Sequence, residues 1–283
     1  MRCILLIVSC GLVWMGNLQA EEPPLQLHWD KNYLTISGPQ VPGEAIRIHY
    51  LEAYCRAGST DADWVQHTRM QHQTELVSAA TGSNELRLRC RVADGLIVDH
   101  LITSTADEVR FEIIARNPTD QRSEAHWAQP CIRLEKFTGA DQESYLAKSF
   151  IFLDGQLQRM PTRDWALQAR YVPGQVWAAP GVDRNDVNPR PLSPLTPSNG
   201  LIGCFSADES RIFAVAFEPY QELFQGVAVC LHSDFRLGGL QPGEVRRVHG
   251  RIYLVPNDLP ALLERYERDF PEHFLSAQVP DPR

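Results

Sequence analysis

The amino-acid sequence predicts an all-β fold, a large antiparallel β-sandwich with one helix near the C-terminus. Apolar and polar residues alternate in successive short runs, turn-forming residues separate these runs, and a helical spacing of apolar residues follows residue 258. The 283 residues are 43% hydrophobic and 22% charged, which provides enough apolar surface for a sizeable core. This length fits a signal peptide over residues 1–20 and a single β-sandwich domain over residues 21–283.

The first half of the chain contains six predicted strands. They cover residues 25–29, 33–37, 44–54, 85–93, 96–104 and 108–116, with turn-forming residues between them. The pair Asp94-Gly95 joins two of these runs directly and is a strong signal for a two-residue hairpin turn. The last three runs therefore form a meander of antiparallel strands.

The second half combines further strands with a long loop and the helix. Strands are predicted at residues 150–153, 200–206, 212–217, 226–232 and 245–255. Six prolines at about residues 171–199 indicate a Pro-rich loop without regular structure, either ordered or a mobile flap. Asp258 is placed to cap the helix, which extends to Phe270, and Pro260 is tolerated in the first helical turn.

The N-terminal residues have the pattern of a signal peptide. Arg2 supplies a positive charge, residues 4–13 form an apolar run, and Ala20 is the small residue that precedes a cleavage site. The apolar run is well short of the roughly 20 residues that cross a bilayer. We therefore expect cleavage after Ala20 and a secreted or periplasmic protein that does not associate with a membrane afterwards.

The charge and the cysteines limit the partners. The chain has 27 Lys and Arg against 35 Asp and Glu, a balance that disfavours nucleic acid because a phosphate backbone requires a basic face. The sequence leaves the oligomeric state open. Beyond residue 20, no cysteine pair has the CxxC spacing of a zinc site, so we expect no metal and no cofactor. Buried thiols are the favoured interpretation and a single disulfide is the alternative for Cys55, Cys90, Cys131, Cys204 and Cys230.

A first group of candidate site residues lies in the segment HWAQPCIRL. In an extended chain Trp127, Gln129 and Arg133 share one face, although Pro130 interrupts a strand ladder and indicates an edge or rim position. An indole offers a flat platform for a sugar ring, and Gln and Arg donate hydrogen bonds to hydroxyls or to a uronate carboxylate. The alternative is a buried Trp127 with Arg133 paired to a nearby acid such as Glu135.

The candidate catalytic residues are His126, His232 and Asp234. His232 and Asp234 lie two residues apart just past a predicted strand, where the imidazole can act as a general base that the carboxylate orients. The alternative is that Asp234 closes a turn. Trp177 in the Pro-rich loop is a further candidate for sugar binding, or else an anchor that holds the loop to the sheet.

Four motifs carry a family resemblance. RNPT, HWAQPCIRL, CLHSD and PGEVRRVHGRIYL, followed by the final helix, resemble uncharacterised secreted bacterial proteins with a galactose mutarotase-like supersandwich. The resemblance implies a two-sheet antiparallel sandwich whose concave face binds carbohydrate in many relatives. Two functions follow from it. One is a secreted protein that binds carbohydrate or polysaccharide, and the other is a carbohydrate-active enzyme (polysaccharide lyase, glycoside hydrolase or epimerase) with His acid/base catalysis.

Overall fold

A computed structural model describes residues 22–139, 141–162, 175–226 and 229–275. The predicted signal peptide, residues 1–20, lies outside these ranges, as do residues 171–174 of the predicted Pro-rich loop. Within the described ranges, no helix is both long enough and apolar enough to cross a membrane.

Seventeen strands of the described chain form two antiparallel sheets. In chain order they are β1 (Gln26–Asp30), β2 (Tyr33–Ser37), β3 (Ala45–Cys55), β4 (Arg69–Met70), β5 (His72–Ala79), β6 (Glu85–Val92), β7 (Ile97–Ser104), β8 (Glu108–Arg116), β9 (Trp127–Arg133), β10 (Ser149–Leu153), β11 (Gln156–Arg159), β12 (Gln175–Ala178), β13 (Ile202–Phe205), β14 (Arg211–Glu218), β15 (Tyr220–Gln225), β16 (Cys230–Arg236) and β17 (Val245–Pro256). Sheet A has the order β1-β2-β3-β9-β16-β15-β12, with β4 paired to β3. Sheet B has the order β11-β10-β13-β14-β17-β8-β7-β6-β5.

The two sheets pack face to face through alternate side chains of their strands. Ile46 and Ile48 of β3 belong to the same apolar core as Phe111 and Ile113 of β8, and each of the four is at most 1% exposed. Alternation with a period of two is what allows one face of each strand to be buried in this way. The predicted all-β sandwich is confirmed.

A second apolar layer lies on the other face of sheet B. The described helices are α1 (Gln142–Lys148), α2 (Leu259–Asp269) and α3 (Glu272–Leu275). Leu262 and Tyr266 of α2 are buried in a cluster with Phe150 and Tyr253 of sheet B. The Asp258 side chain accepts a hydrogen bond from the Ala261 N–H at 3.1 Å and so caps the helix. The predicted C-terminal helix is confirmed.

Three strands of the second half, β12, β15 and β16, differ from the prediction. Strand β12 lies inside the predicted loop and pairs with β15, because residues 175–178 contain no proline and keep their N–H groups for pairing. Strand β16 begins at Cys230 and continues to Arg236, so His232 and Asp234 lie within a strand rather than past its end. Strand β15, which pairs with β16, was not predicted at all.

The position of Pro130 is a further correction. Strand β9 lies in the middle of sheet A between β3 and β16, not at an edge. The pairing with β16 passes from Ile132 to Ala128 without paired residues between them, and the pairing with β3 shifts in register over the same stretch. The sheet thus accommodates the missing N–H of Pro130 by interrupting both ladders at this point.

Candidate functional site

The candidate functional site is a pocket of about 350 Å³ on the face of sheet A that points away from sheet B, here called the sheet-A pocket. It lies beside the stretch of β9 where the ladders are interrupted. Alternate side chains of β9, β15 and β16 reach it, because successive residues of a strand point to opposite faces. The lining residues that bear on function are Trp64, Gln129, Cys131, Arg133, Asn188, Phe224, Gly226, Cys230 and His232.

Gln129 and His232 make the central polar contact of the pocket. Gln129 Nε2 lies 3.2 Å from His232 Nδ1, and the two side chains are 3% and 1% exposed. The ring of Phe224 packs on the imidazole with a centroid distance of 4.8 Å. Gln129 and Phe224 therefore hold the imidazole on two sides. Its Nδ1 atom contacts a side chain of the neighbouring strand, β9.

Two buried carboxyl groups lie deeper in the same region. Glu222 and Asp234 are paired across β15 and β16, and both are 0% exposed. Burial raises the pKa of Asp234 to about 6, and burial together with the Asp234 carboxylate raises the pKa of Glu222 well above its usual value. Asp234 Oδ1 is 3.7 Å from His232 Nδ1, and Glu222 Oε2 accepts a hydrogen bond from the Asn188 N–H at 2.7 Å.

His232 is the link between these acids and the pocket. Burial alone would lower its pKa, but the thiol of Cys131 and the carboxylate of Asp234 outweigh burial and raise the pKa of His232. The site thus holds an imidazole whose pKa is raised, with two buried carboxyl groups close to it.

Arg133 lies at the mouth of the pocket and is partly exposed. Its guanidinium is 5.7 Å from the ring centroid of Tyr33, and its Nε atom is buried without a hydrogen-bond partner among the described residues. The ion pairs of the described chain do not include one between Arg133 and Glu135.

Both tryptophans predicted to bind sugar are buried. Trp127 is 0% exposed and packs against Trp64, with ring centroids 6.1 Å apart, while Trp177 on β12 is also 0% exposed. Neither indole presents a face to a ligand, which corrects the predicted platform role of Trp127 and Trp177. The aromatic residues that do reach the pocket are Trp64 and Phe224.

His126 does not join His232. Its Nδ1 lies 3.3 Å from Asp186 Oδ2, and it lines a separate depression together with Arg56 and Glu124. His126 therefore lines a different depression from His232, because it precedes β9 and turns toward the loop that carries Asp186. His232 lines the sheet-A pocket with Gln129 and Arg133, and Asp234 lies 3.7 Å behind it.

The sequence signals of three site residues were too weak to single them out. Asn188 sits in the Pro-rich loop, Trp64 in a π-helical turn (Trp64–Thr68), and Glu222 in a strand that was not predicted. Glu222 follows Gln221 and precedes Leu223, so no apolar run around it marks it in the sequence as a buried carboxyl group.

The cysteines provide a possible metal site. All five cysteines of the described chain are buried and none is joined in a disulfide, as the favoured interpretation predicts. Within the same residues, one group with metal-binding atoms close together consists of Cys131, Cys230 and His232. These three side chains all line the sheet-A pocket.

No protein-family model and no curated protein matches the chain. Solved structures that are similar to it include the Slr1438 protein from Synechocystis sp. PCC 6803, at 12% identity and a TM-score of 0.47, covering 85% of this chain and 99% of that one. A putative aldose 1-epimerase from Escherichia coli K12 has 12% identity and a TM-score of 0.41, covering 81% and 98%. A galactose mutarotase-like protein from Lactobacillus casei has 9% identity and a TM-score of 0.42, covering 81% and 99%. The last of these descriptions names the galactose mutarotase-like group.

Proposed function

We propose that the protein binds carbohydrate in the sheet-A pocket. The main support is a set of buried polar atoms on three lining residues that have no hydrogen-bond partner among the described residues. These atoms are Gln129 Oε1, Arg133 Nε and Asn188 Oδ1. All three residues line one cavity, so a single ligand in it can contact all three side chains.

The chemistry of these atoms favours a ligand with several hydroxyl groups. Each buried polar atom without a partner costs about 1–3 kcal/mol, so a ligand that pairs with it recovers that free energy. Gln129 and Asn188 offer acceptors here, whereas Arg133 offers a donor. A hydroxyl both donates and accepts and fits all three, whereas an anion such as phosphate would leave the two amide oxygens unpaired.

The size and the apolar lining of the pocket agree with this ligand class. Its volume of about 350 Å³ lies within the range of about 300–1,000 Å³ of small-molecule sites. The rings of Trp64 and Phe224 line the cavity beside the polar residues. Aromatic rings pack well against the apolar C–H faces of a sugar ring, while the polar groups fix its orientation.

A second candidate function is a carbohydrate-active enzyme in which His232 acts as acid or base. The observation that favours it is the buried network of His232, Asp234 and Glu222, whose pKa values are all raised. Titratable groups with shifted pKa values that meet in a cleft are typical of catalytic sites, and such a network can accept a proton from a sugar hydroxyl and return it.

We also propose that the protein is exported and acts outside the cytoplasm. The support is the N-terminal pattern of Arg2, an apolar run over residues 4–13 and Ala20. N-terminal sequencing of the protein from the extracytoplasmic fraction of its host tests this: a chain that starts at residue 21 supports export, and an intact N-terminus contradicts it.

A glycan array probed with the purified protein tests the binding function. Retention of neutral or acidic glycans is expected, and a Gln129→Leu, Arg133→Gln double variant should lose it while remaining folded. No retention of any glycan by the wild-type protein would contradict the proposal. Incubation of the retained glycans, with assays for reducing ends, unsaturated products and anomer exchange, then separates the two candidates: turnover that is lost in His232→Gln supports an enzyme.

A further inference from the structure

Cys131, Cys230 and His232 place three metal-binding side chains together in the sheet-A pocket. One possible ligand atom from each lies within 4.8 Å of the other two, and Cys230 Sγ is 3.3 Å from His232 Nε2. Their exposed fractions are 4%, 4% and 1%. Cys131 lies on β9 and the other two lie on β16, so the pairing of these strands holds all three in position.

We propose that these three side chains bind one Zn²⁺ ion, with the fourth coordination position open to the pocket. Zn–S bonds of about 2.3 Å and Zn–N bonds of about 2.0–2.1 Å in a tetrahedral site place two sulfurs about 3.8 Å apart and a sulfur and a nitrogen about 3.6 Å apart. The Cys230 Sγ–His232 Nε2 distance is 3.3 Å, and all three ligand atoms lie within 4.8 Å of one another. The distances that tetrahedral zinc requires lie between these two values, so small side-chain movements are enough to bind the ion.

The donor set and its charge suit zinc in a buried site. Two sulfurs and one imidazole favour Zn²⁺ over hard cations such as Ca²⁺ and Mg²⁺, which prefer oxygen ligands. Binding releases one proton from each thiol to the solvent. The resulting unit of one Zn²⁺ and two thiolates carries no net charge, which limits the cost of burying it.

Gly226 leaves the space that such an ion requires. A β-carbon built on Gly226 would overlap Cys230 Sγ and lie 3.3 Å from His232 Nε2. The backbone at Gly226 is not in the left-handed region, so its conformation does not explain the glycine. The missing side chain instead keeps the sulfur and the imidazole nitrogen open to the pocket, which Gly226 itself lines.

The groups behind His232 fit the outer shell of a zinc site. A histidine that binds zinc through one nitrogen usually donates its other N–H to a carboxylate or an amide oxygen. Asp234 Oδ1 lies 3.7 Å from His232 Nδ1.

Metal binding by the purified full chain tests this inference without any sugar. The protein is reduced, stripped with a chelator and titrated with Zn²⁺ against a colorimetric chelator, and with Co²⁺ as a spectroscopic probe. We expect one Zn²⁺ per chain, and with Co²⁺ both thiolate-to-metal charge transfer and the visible bands of tetrahedral coordination. Cys131→Ala and Cys230→Ala should each weaken Zn²⁺ binding by more than the ~10–100-fold that loss of an outer-shell partner costs, and Asp234→Asn by about that range.

Cys204→Ala is the matched control, because Cys204 is equally buried but lies on sheet B. It should bind Zn²⁺ like the wild type. Less than stoichiometric binding by the reduced wild-type protein, or unchanged binding in Cys131→Ala and Cys230→Ala, overturns the inference. A Cys131–Cys230 disulfide in the protein as isolated, found by peptide mass mapping, overturns it as well.

The zinc site shares the sheet-A pocket with the proposed carbohydrate function but does not rest on it. Glycan retention is measured on chelator-stripped protein, and zinc binding is measured without glycan. The two experiments are therefore independent. A protein that does not bind glycan can still be tested for zinc binding, and a protein that does not bind zinc can still be tested for glycan binding.

Discussion

Gln129 Nε2 and His232 Nδ1 lie 3.2 Å apart where neither residue has a ladder partner between β9 and β16. The side chains of two central strands thus meet at the point where the backbone pairing between them is interrupted. Pro130 is the cause on β9, since it has no N–H to donate. The interruption and the polar contact coincide with the sheet-A pocket, and most of the predictions below concern residues around this contact.

Replacement of Gln129 by Leu should weaken glycan binding about tenfold, or about 1.4 kcal/mol, because it removes hydrogen-bonding groups that reach the pocket. The melting temperature should fall by less than in a variant that loses two hydrogen bonds, since Gln129 Oε1 has no partner among the described residues and only the 3.2 Å contact of Nε2 with His232 is broken. Gln40→Leu is the control: Gln40 is 5% exposed, is remote from the pocket and donates to Pro23 and Ala106 carbonyls. It should lower the melting temperature and leave glycan affinity unchanged. Unchanged glycan affinity in Gln129→Leu, with weaker affinity in Gln40→Leu, would show that Gln129 does not contact the glycan.

The two tryptophans in contact, Trp64 and Trp127, should respond differently to truncation. Trp127→Ala should cost about 3–5 kcal/mol of unfolding free energy, because the indole is 0% exposed. Trp64→Ala should cost less stability and weaken glycan binding, because Trp64 is partly exposed and lines the pocket. Urea unfolding and glycan titration of both variants provide the comparison. If Trp127→Ala is as stable as the wild type but no longer binds glycan, Trp127 contacts the sugar and its assignment to the core is wrong.

Protonation of His100 should destabilise the protein in acid. His100 is 2% exposed and contacts Tyr50 Oη at 2.8 Å, Tyr54 Oη at 3.4 Å and Cys90 Sγ at 3.5 Å. Burial lowers the pKa of His100 to about 3. The Asp99 carboxylate partly opposes this shift, and His72 adds to it. The unfolded chain takes up a proton near pH 6.5 and the folded chain does not, so stability is complete above pH 6.5 and falls as the pH drops toward 3.

Unfolding measured between pH 7 and pH 5 checks this effect. The wild type should lose up to about 1.4 kcal/mol of unfolding free energy per pH unit through His100. His100→Gln keeps hydrogen-bonding groups near both tyrosines but does not titrate, so its stability should depend less on pH in this range. Equal pH slopes for the two proteins would show that His100 is not held neutral by the fold.

The cap of helix α2 supplies a test of the fold itself. Asp258→Ala should cost about 0.5–2 kcal/mol, because it leaves the Ala261 N–H without its 3.1 Å hydrogen bond. Asp61→Ala is a control, since Asp61 is an exposed turn residue outside the helices of the described chain. Its unfolding free energy should match that of the wild type, and an equal loss in both variants would contradict the capping role.

The sequence predicts the local elements well and the long-range contacts poorly. Alternation identifies β8 with the bounds Glu108–Arg116, and the Asp258 cap identifies α2, because both signals come from neighbouring residues. The shared face of Gln129 and Arg133 also follows from alternation within β9 alone. By contrast, the burial of Trp127 depends on the turn at Trp64, which is distant in sequence.

The metal-binding group illustrates the same limit. Zinc sites are recognised in sequences by closely spaced ligands, and Cys131 is far from Cys230 along the chain. The two residues become neighbours because β9 pairs with β16, a pairing that no local pattern reveals. Glu222 was missed for a related reason. Its strand, Tyr220–Gln225, contains several polar residues, and these become buried only when sheet A forms.

The most direct test of carbohydrate binding in the sheet-A pocket compares two arginines that face the same ring. The guanidinium of Arg133 lies 5.7 Å, and that of Arg47 4.5 Å, from the centroid of Tyr33, but Arg133 lines the pocket and Arg47 does not. Calorimetric titration with a glycan retained on the array should show affinity about 10- to 100-fold weaker for Arg133→Gln and unchanged for Arg47→Gln, since hydrogen bonds to charged groups are worth about 1.5–3 kcal/mol. Equal affinities for wild type and both variants would contradict carbohydrate binding at this pocket.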